Sequence, residues 1–240
     1  MKEIYEDEET QGVIQVDANN AFNTINRGVL LHNMRVLCPE LATFAKNCYN
    51  EPARLFVTGG LEMLSSEGTT QGCPAAMPLY AIGIIPLMST IIRLAVDEEI
   101  SISAEKIKQA AFADDLTGAG KLSTLRTWWD AIIETGKFMG YYAKSSKSWL
   151  IVKEQYQGIA NQIFAGAGVN ITSNGKLHLG AVIGSEGAFK EEYVCEKIDE
   201  WITEIEALVE ISLIEPHAAY AAYVHGFQHT DIHYENNTWD

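Results

Sequence analysis

The chain has 240 residues, 47% hydrophobic and 20% charged, a balance that builds a packed core and excludes disordered, collagen-like and disulfide-stapled classes. Its formal charge of −15 is unevenly spread: residues 186–240 hold 13 acidic and 2 basic residues, net −11, while residues 1–185 hold 19 and 15, net −4. Such a balance weighs against a polyanion partner, because phosphate contacts need Lys and Arg.

Gly12-Val-Ile-Gln-Val-Asp17 reads as a short buried strand ending in a carboxylate. Residues 24–36 and 40–49 read as helices, with Pro39 suited to the first turn of the second. Residues 54–57 and 61–65 flank Gly59-Gly60 and predict a hairpin. Residues 75–92 are 18 positions without a charge, but Pro78 and Pro86 interrupt them and Arg93 follows, so a buried core helix is expected rather than a membrane span. A polar, helix-prone stretch then runs through Lys108. Residues 109–113 and 116–118 read as strands meeting at Asp114-Asp115, and 122–139 as an amphipathic helix. A strand over 148–152 and a helix over 153–164 follow. Residues 169–172 and 176–183 flank Asn174-Gly175, the strongest short hairpin signal. Val194, Ile198, Trp201, Ile205 and Leu208 form one helical stripe. The mixed order of elements predicts an α+β fold.

Cys38, Cys48, Cys73 and Cys195 show neither a CxxC pair nor zinc spacing, and the acidic start (Glu3 to Glu9) is unlike a signal peptide. An intracellular setting, cytoplasm or nucleus, with no membrane partner, is therefore expected.

Three segments put unusual residues at strand ends or turns: Val16-Asp17-Ala-Asn-Asn-Ala-Phe22, Gln71-Gly72-Cys73-Pro74 and Phe112-Ala113-Asp114-Asp115. An aspartate packs poorly at the end of an apolar strand, and carboxylates converging from distant segments suit Mg²⁺, which prefers hard oxygen ligands. Taken singly, each has a plainer reading: Asp17 as an N-cap, Asp114-Asp115 as turn chemistry, Gln71 to Pro74 as the entry to a helix.

In this order the segments resemble the palm domain of a reverse transcriptase. VDANNAFNTINR resembles the first palm motif, SSEGTTQGCPAAMPLY the second and AFADDL the third. Gly140 followed seven positions later by Lys147 resembles the fourth, and His178-Leu179-Gly180 the primer-grip hairpin. EGTTQG, KSWLIV and HLGAVIG are most similar to eukaryotic mobile-element enzymes. Cys73, Ala76, Asn23 and Lys144 depart from the usual residues without removing a metal ligand.

The resemblance implies an antiparallel palm-like sheet backed by helices over residues 1–184 and an acidic helical extension toward a thumb over 185–240. It implies RNA-directed DNA polymerase activity, a nucleotidyl transfer using two Mg²⁺ ions, with Mn²⁺ as a substitute. Asp17, Asp114 and Asp115 would hold the ions. Phe22 would gate against the ribose 2′-hydroxyl, Gln71 and Gly72 would lie against template and incoming base, and Lys147 would sit near the triphosphate. Leu179 and Gly180 would belong to the primer grip. Partners would be an RNA or DNA template, a primer strand and deoxynucleoside triphosphates. Fingers are expected to be largely missing, marking a fragment or relic with little or no polymerase activity on its own, or a silent nucleic-acid-binding remnant that keeps the fold.

Other features read more simply. Thr117-Gly-Ala-Gly-Lys121 lacks the spacing and the Ser/Thr of a phosphate loop. His225, His229 and His233 read as part of a polar tail. Trp128-Trp129 and Tyr141-Tyr142 are each expected to split between core and surface.

Overall fold

The computed structural model describes residues 1–70, 72–95, 107–178, 181–184 and 187–227. Helix α1 (Lys2–Glu6) precedes strand β1 (Gly12–Val16), the turn-length α2 (Ala21–Thr24), α3 (Arg27–Leu37) and α4 (Pro39–Tyr49). A hairpin of β2 (Ala53–Val57) and β3 (Leu61–Ser65) leads to α5 (Ala76–Ala95). Then come β4 (Lys108–Phe112), β5 (Asp115–Gly120), α6 (Leu122–Met139), β6 (Trp149–Val152) and α7 (Gln157–Ile163). They are followed by β7 (Asn170–Thr172), β8 (Lys176–His178), β9 (Ala181–Ile183), α8 (Ala188–Ile214) and α9 (Pro216–Ala222).

Among the described residues, five strands form one sheet in the order β4-β5-β1-β6-β7. β1 is central because its apolar run can be covered on both faces. Ile14 and Val16 join Leu116, Leu150 and Val152 in the core against α3, α5 and α6. Val13 joins Ala119, Ile151, Tyr5 of α1 and Ile183 of β9 on the other face. β1 is antiparallel to β5 and β6, and β6 is parallel to β7, so the sheet is mixed rather than wholly antiparallel. The fold is α+β, a mixed sheet backed by helices, as the sequence predicts.

Several local expectations need correction. The helix expected over 24–36 starts at Arg27, because the Asn26 side chain accepts from the Val29 N–H at 2.9 Å and caps it there. The stretch 153–164 splits into a 3-10 turn and α7. Asn174-Gly175 does not pair β7 with β8. The Asn170 side chain donates to the Ser146 and Ser148 carbonyls, which pins β7 onto β6, and β8 pairs with β9 instead. Trp128 and Trp129 are both buried, since α6 is enclosed by α5 and the sheet; Tyr141 is buried and Tyr142 exposed. The stripe of α8 forms a helix but remains half-open, with Ile198 42% and Ile205 45% exposed. The helix-prone stretch at 96–106, His229 and His233 lie outside the described residues, and His225 sits in an exposed π-helical turn.

Helix α5 is long and apolar enough to cross a membrane by length and composition. In the fold, Leu79, Tyr80, Ile84, Leu87 and Ile91 bury one face in the core, while Met77, Ile85 and Leu94 stay exposed.

Candidate active site

Strand register brings the carboxylates together. Val16 pairs with Leu116 across the β1–β5 ladder, so Asp17 and Asp115 stand side by side one step further along. Side chains alternate along a strand, which turns both away from the helix-backed face that holds Val16 and Leu116. Phe112 pairs with Asp115, leaving Ala113 and Asp114 as the two-residue turn. Ala113 adopts φ +55°, a left-handed conformation that a non-glycine residue holds only under constraint. The Tyr141 hydroxyl supplies one such constraint, donating to the Asp114 carbonyl at 3.0 Å.

Asp17 and Asp115 line an open cleft of about 400 Å³ together with Gln15, Thr117 and Lys147. Lys147 arrives there on the 3-10 turn Ser145–Lys147, which is tied to β1 on both sides. The Lys144 N–H donates to the Asp17 carbonyl at 2.8 Å, and the Asp17 N–H donates to Ser148 Oγ at 3.3 Å. The far wall is Trp149 with β8: Lys176 Nζ lies 4.5 Å from the Trp149 ring centroid, and Thr117 Oγ1 meets His178 Nε2 at 3.4 Å. The cleft thus holds two carboxylates and two ammonium groups, a lining that suits a ligand both phosphate-bearing and cation-bound.

The electrostatics agree with a tight acidic cluster. Burial raises the Asp115 carboxyl above its usual value, and Asp114 and then Asp17 add to the shift. Burial likewise raises the Tyr80 hydroxyl, with Asp114 and Asp115 contributing, and raises Tyr141 well above its usual value. His178 is lowered by burial, then by the amino terminus. Among the described residues, no three His, Cys, Asp or Glu side chains form a ready-made metal group.

The remaining expected residues divide. Phe22 does not line the cleft; its ring packs on Tyr80 with centroids 4.6 Å apart. Gly72 adopts φ +86°, with nothing within 4 Å of where a side chain would begin, so glycine fits both the turn and an approaching ligand. Gln71, Leu179 and Gly180 lie outside the described residues.

Three residues escape the sequence reading. Arg27 is buried; its guanidinium donates to the carbonyls of Ser65, Glu67 and Gly68, and its N–H donates to the Glu67 carboxylate. It fixes the loop that leads to Gly72. Gln15 Nε2 and the Tyr80 hydroxyl are buried without a hydrogen-bond partner among the described residues. Their one visible signal is a polar group inside an apolar run.

No family model matches the chain. Solved structures of Candida tropicalis telomerase share its fold. Apo telomerase truncated from its C-terminal domain aligns at TM-score 0.52 and 13% identity, over 75% of this chain and 35% of that one. Apo telomerase aligns at 0.52 and 13% over 32% of its length, and telomerase with a fragment of telomeric RNA at 0.51 and 13% over 30%. The likeness is one of fold. This chain spans about a third of the telomerase chains it matches.

Proposed function

We propose that the chain performs template-directed DNA synthesis on RNA, a nucleotidyl transfer in the cleft of Asp17 and Asp115. The observation that carries this reading is the β1–β5 register, which sets two carboxylates from distant segments next to each other beside Asp114. Aspartate oxygens are the hard ligands Mg²⁺ takes, and the Asp115 carboxyl is raised first by burial and then by Asp114 and Asp17. Asp17 and Asp115 of the cleft, with Asp114 on the adjoining turn, are the residues that would hold two Mg²⁺ ions, with Mn²⁺ as a substitute. When bound, such ions stabilise the attacking and leaving oxygens of an in-line displacement.

The chain's own groups have distinct tasks. Lys147 Nζ, in the same cleft, holds a phosphate oxygen or a proton beside the carboxylates. Phe22, braced by Tyr80 outside the cleft lining, is the residue that would gate against a 2′-hydroxyl. By the resemblance, Gln71 and Gly72 would serve the template and incoming base, and Leu179 and Gly180 the primer grip. The partners are an RNA or DNA template, a primer and deoxynucleoside triphosphates; one telomerase structure of like fold holds an RNA fragment. Residues 1–184 act as the palm and 185–240 as an extension toward a thumb. The EGTTQG, KSWLIV and HLGAVIG stretches support descent from a mobile element acting inside the cell, in cytoplasm or nucleus.

Primer extension on an RNA template with Mg²⁺ and deoxynucleotides tests the reading. Extension, however weak, is expected from the native chain and none from Asp114→Asn/Asp115→Asn. Equal extension by both contradicts the site. No extension by a chain that still binds Mn²⁺ through these aspartates identifies a silent palm.

A further inference from the structure

Away from the carboxylate cleft, α3 and α4 enclose a second groove of about 510 Å³. Gly28, His32 and Arg35 line it from α3, and Thr43, Lys46 and the C-terminal cap Asn50 from α4. Spacings of three, four and seven keep each set on one helix face, so two rows of side chains flank one trough. None of the lining residues is acidic. Glu51 lies just beyond the end, accepting from Asn50 Nδ2 at 2.9 Å. His32, Arg35 and Lys46 are exposed, and among the described residues their side chains carry no ion pair or hydrogen bond. In a chain of net charge −15, a trough with two fixed cations, an imidazole and no carboxylate is a local exception. Salt screens exposed charges beyond about 10 Å at 0.1 M, so a ligand in the trough meets these cations rather than the net charge.

We propose that this groove binds the sugar-phosphate backbone of a single nucleic-acid strand. Arg35 presents a planar fork that matches phosphate oxygens, Lys46 a compact charge, and Thr43 and Asn50 neutral donors of the kind that position a backbone. Each row spans seven residues of helix, roughly 10 Å, which accommodates two or three phosphates of a strand. No Phe, Tyr or Trp lines the trough, and contacts to a sugar-phosphate backbone carry no base identity, so binding depends little on sequence. The missing side chain at Gly28 leaves the wall bare at one end. That end abuts Arg27, which fixes the loop leading to Gly72. The groove thus adjoins the loop that leads to Gly72, and rests on the polymerase reading only for which strand it holds.

Fluorescence anisotropy of the full chain with labelled oligo-dT and oligo-U of about twelve nucleotides tests this without turnover. Arg35→Glu/Lys46→Glu is expected to weaken binding at least tenfold at low salt. It is also expected to reduce the slope of log K against log salt by about 1.4, two contacts at roughly 0.7 each. The matched reversal Arg93→Glu/Lys137→Glu should stay within about threefold with its slope unchanged, and the milder Arg35→Gln/Lys46→Gln should follow the groove variant in direction. Equal losses in both reversals, or no binding by the native chain, overturn the proposal. Displacement of the strand by poly-glutamate at equal charge concentration would assign the groove to acidic peptides and also overturn it. Groove binding that persists while primer extension fails would contradict the polymerase reading alone.

Discussion

The β1–β5 ladder and helix α8 both carry clear apolar patterns, yet the chain treats them oppositely. Val13 and Ile14 are fully buried because helices cover one face of the sheet and α1 with β9 the other. On α8, Ile198 and Ile205 stay nearly half-exposed, and Leu213 and Ile214 are 82% exposed. A period in the sequence fixes which residues share a face, but burial needs a second surface of matching shape. The ladder has one on each side; the α8 stripe has little facing it among the described residues.

The largest expected contrast is in stability. Trp128→Ala empties space beside Gly118 and removes the bond to Gln109, so urea unfolding should show a loss of about 3–5 kcal/mol. Ile205→Ala on α8 should cost less than about 0.5 kcal/mol. Similar losses at the two sites would erase the distinction.

Arg27→Met should cost about 2–3 kcal/mol by the same measurement, because it strands three loop carbonyls at the edge of the core. A neutral result would mean the loop holds itself.

The Asp115 prediction has a sign that depends on pH. Its carboxyl is raised in the folded chain, so its contribution to stability is present below the unfolded value of about 3.9 and is lost as pH rises through the folded value. Asp115→Asn should therefore stabilise the fold at neutral pH, with the gain vanishing below about pH 3.9. A gain independent of pH would contradict the raised Asp115 carboxyl.

The smallest effect sharpens the cleft wall. Lys176→Met removes an ammonium 4.5 Å from the Trp149 ring and should cost about 0.5–1 kcal/mol.

Much of the fold was legible because its signals are local. Val13 to Val16 announce a buried strand, and Leu122 to Met139 match α6 end to end. The carboxylates were legible as residues out of place in apolar runs. Long-range pairing was not: Asn174-Gly175 looks like a hairpin turn, and only the Asn170 bonds to the neighbouring strand divert β7. The roles of Arg27 and Tyr80 were hidden for the same reason, since their partners lie some 40 residues or more away in sequence.

The central claim is that β1 and β5 present Asp17 and Asp115 as one divalent-ion site. Mn²⁺ binding followed by electron paramagnetic resonance, near neutral pH, measures it without primer or template. The native chain should bind Mn²⁺ in competition with Mg²⁺, and Asp17→Asn/Asp115→Asn should lose that binding while keeping the fold. Unchanged Mn²⁺ binding in the folded double variant would place the ions elsewhere and contradict the account.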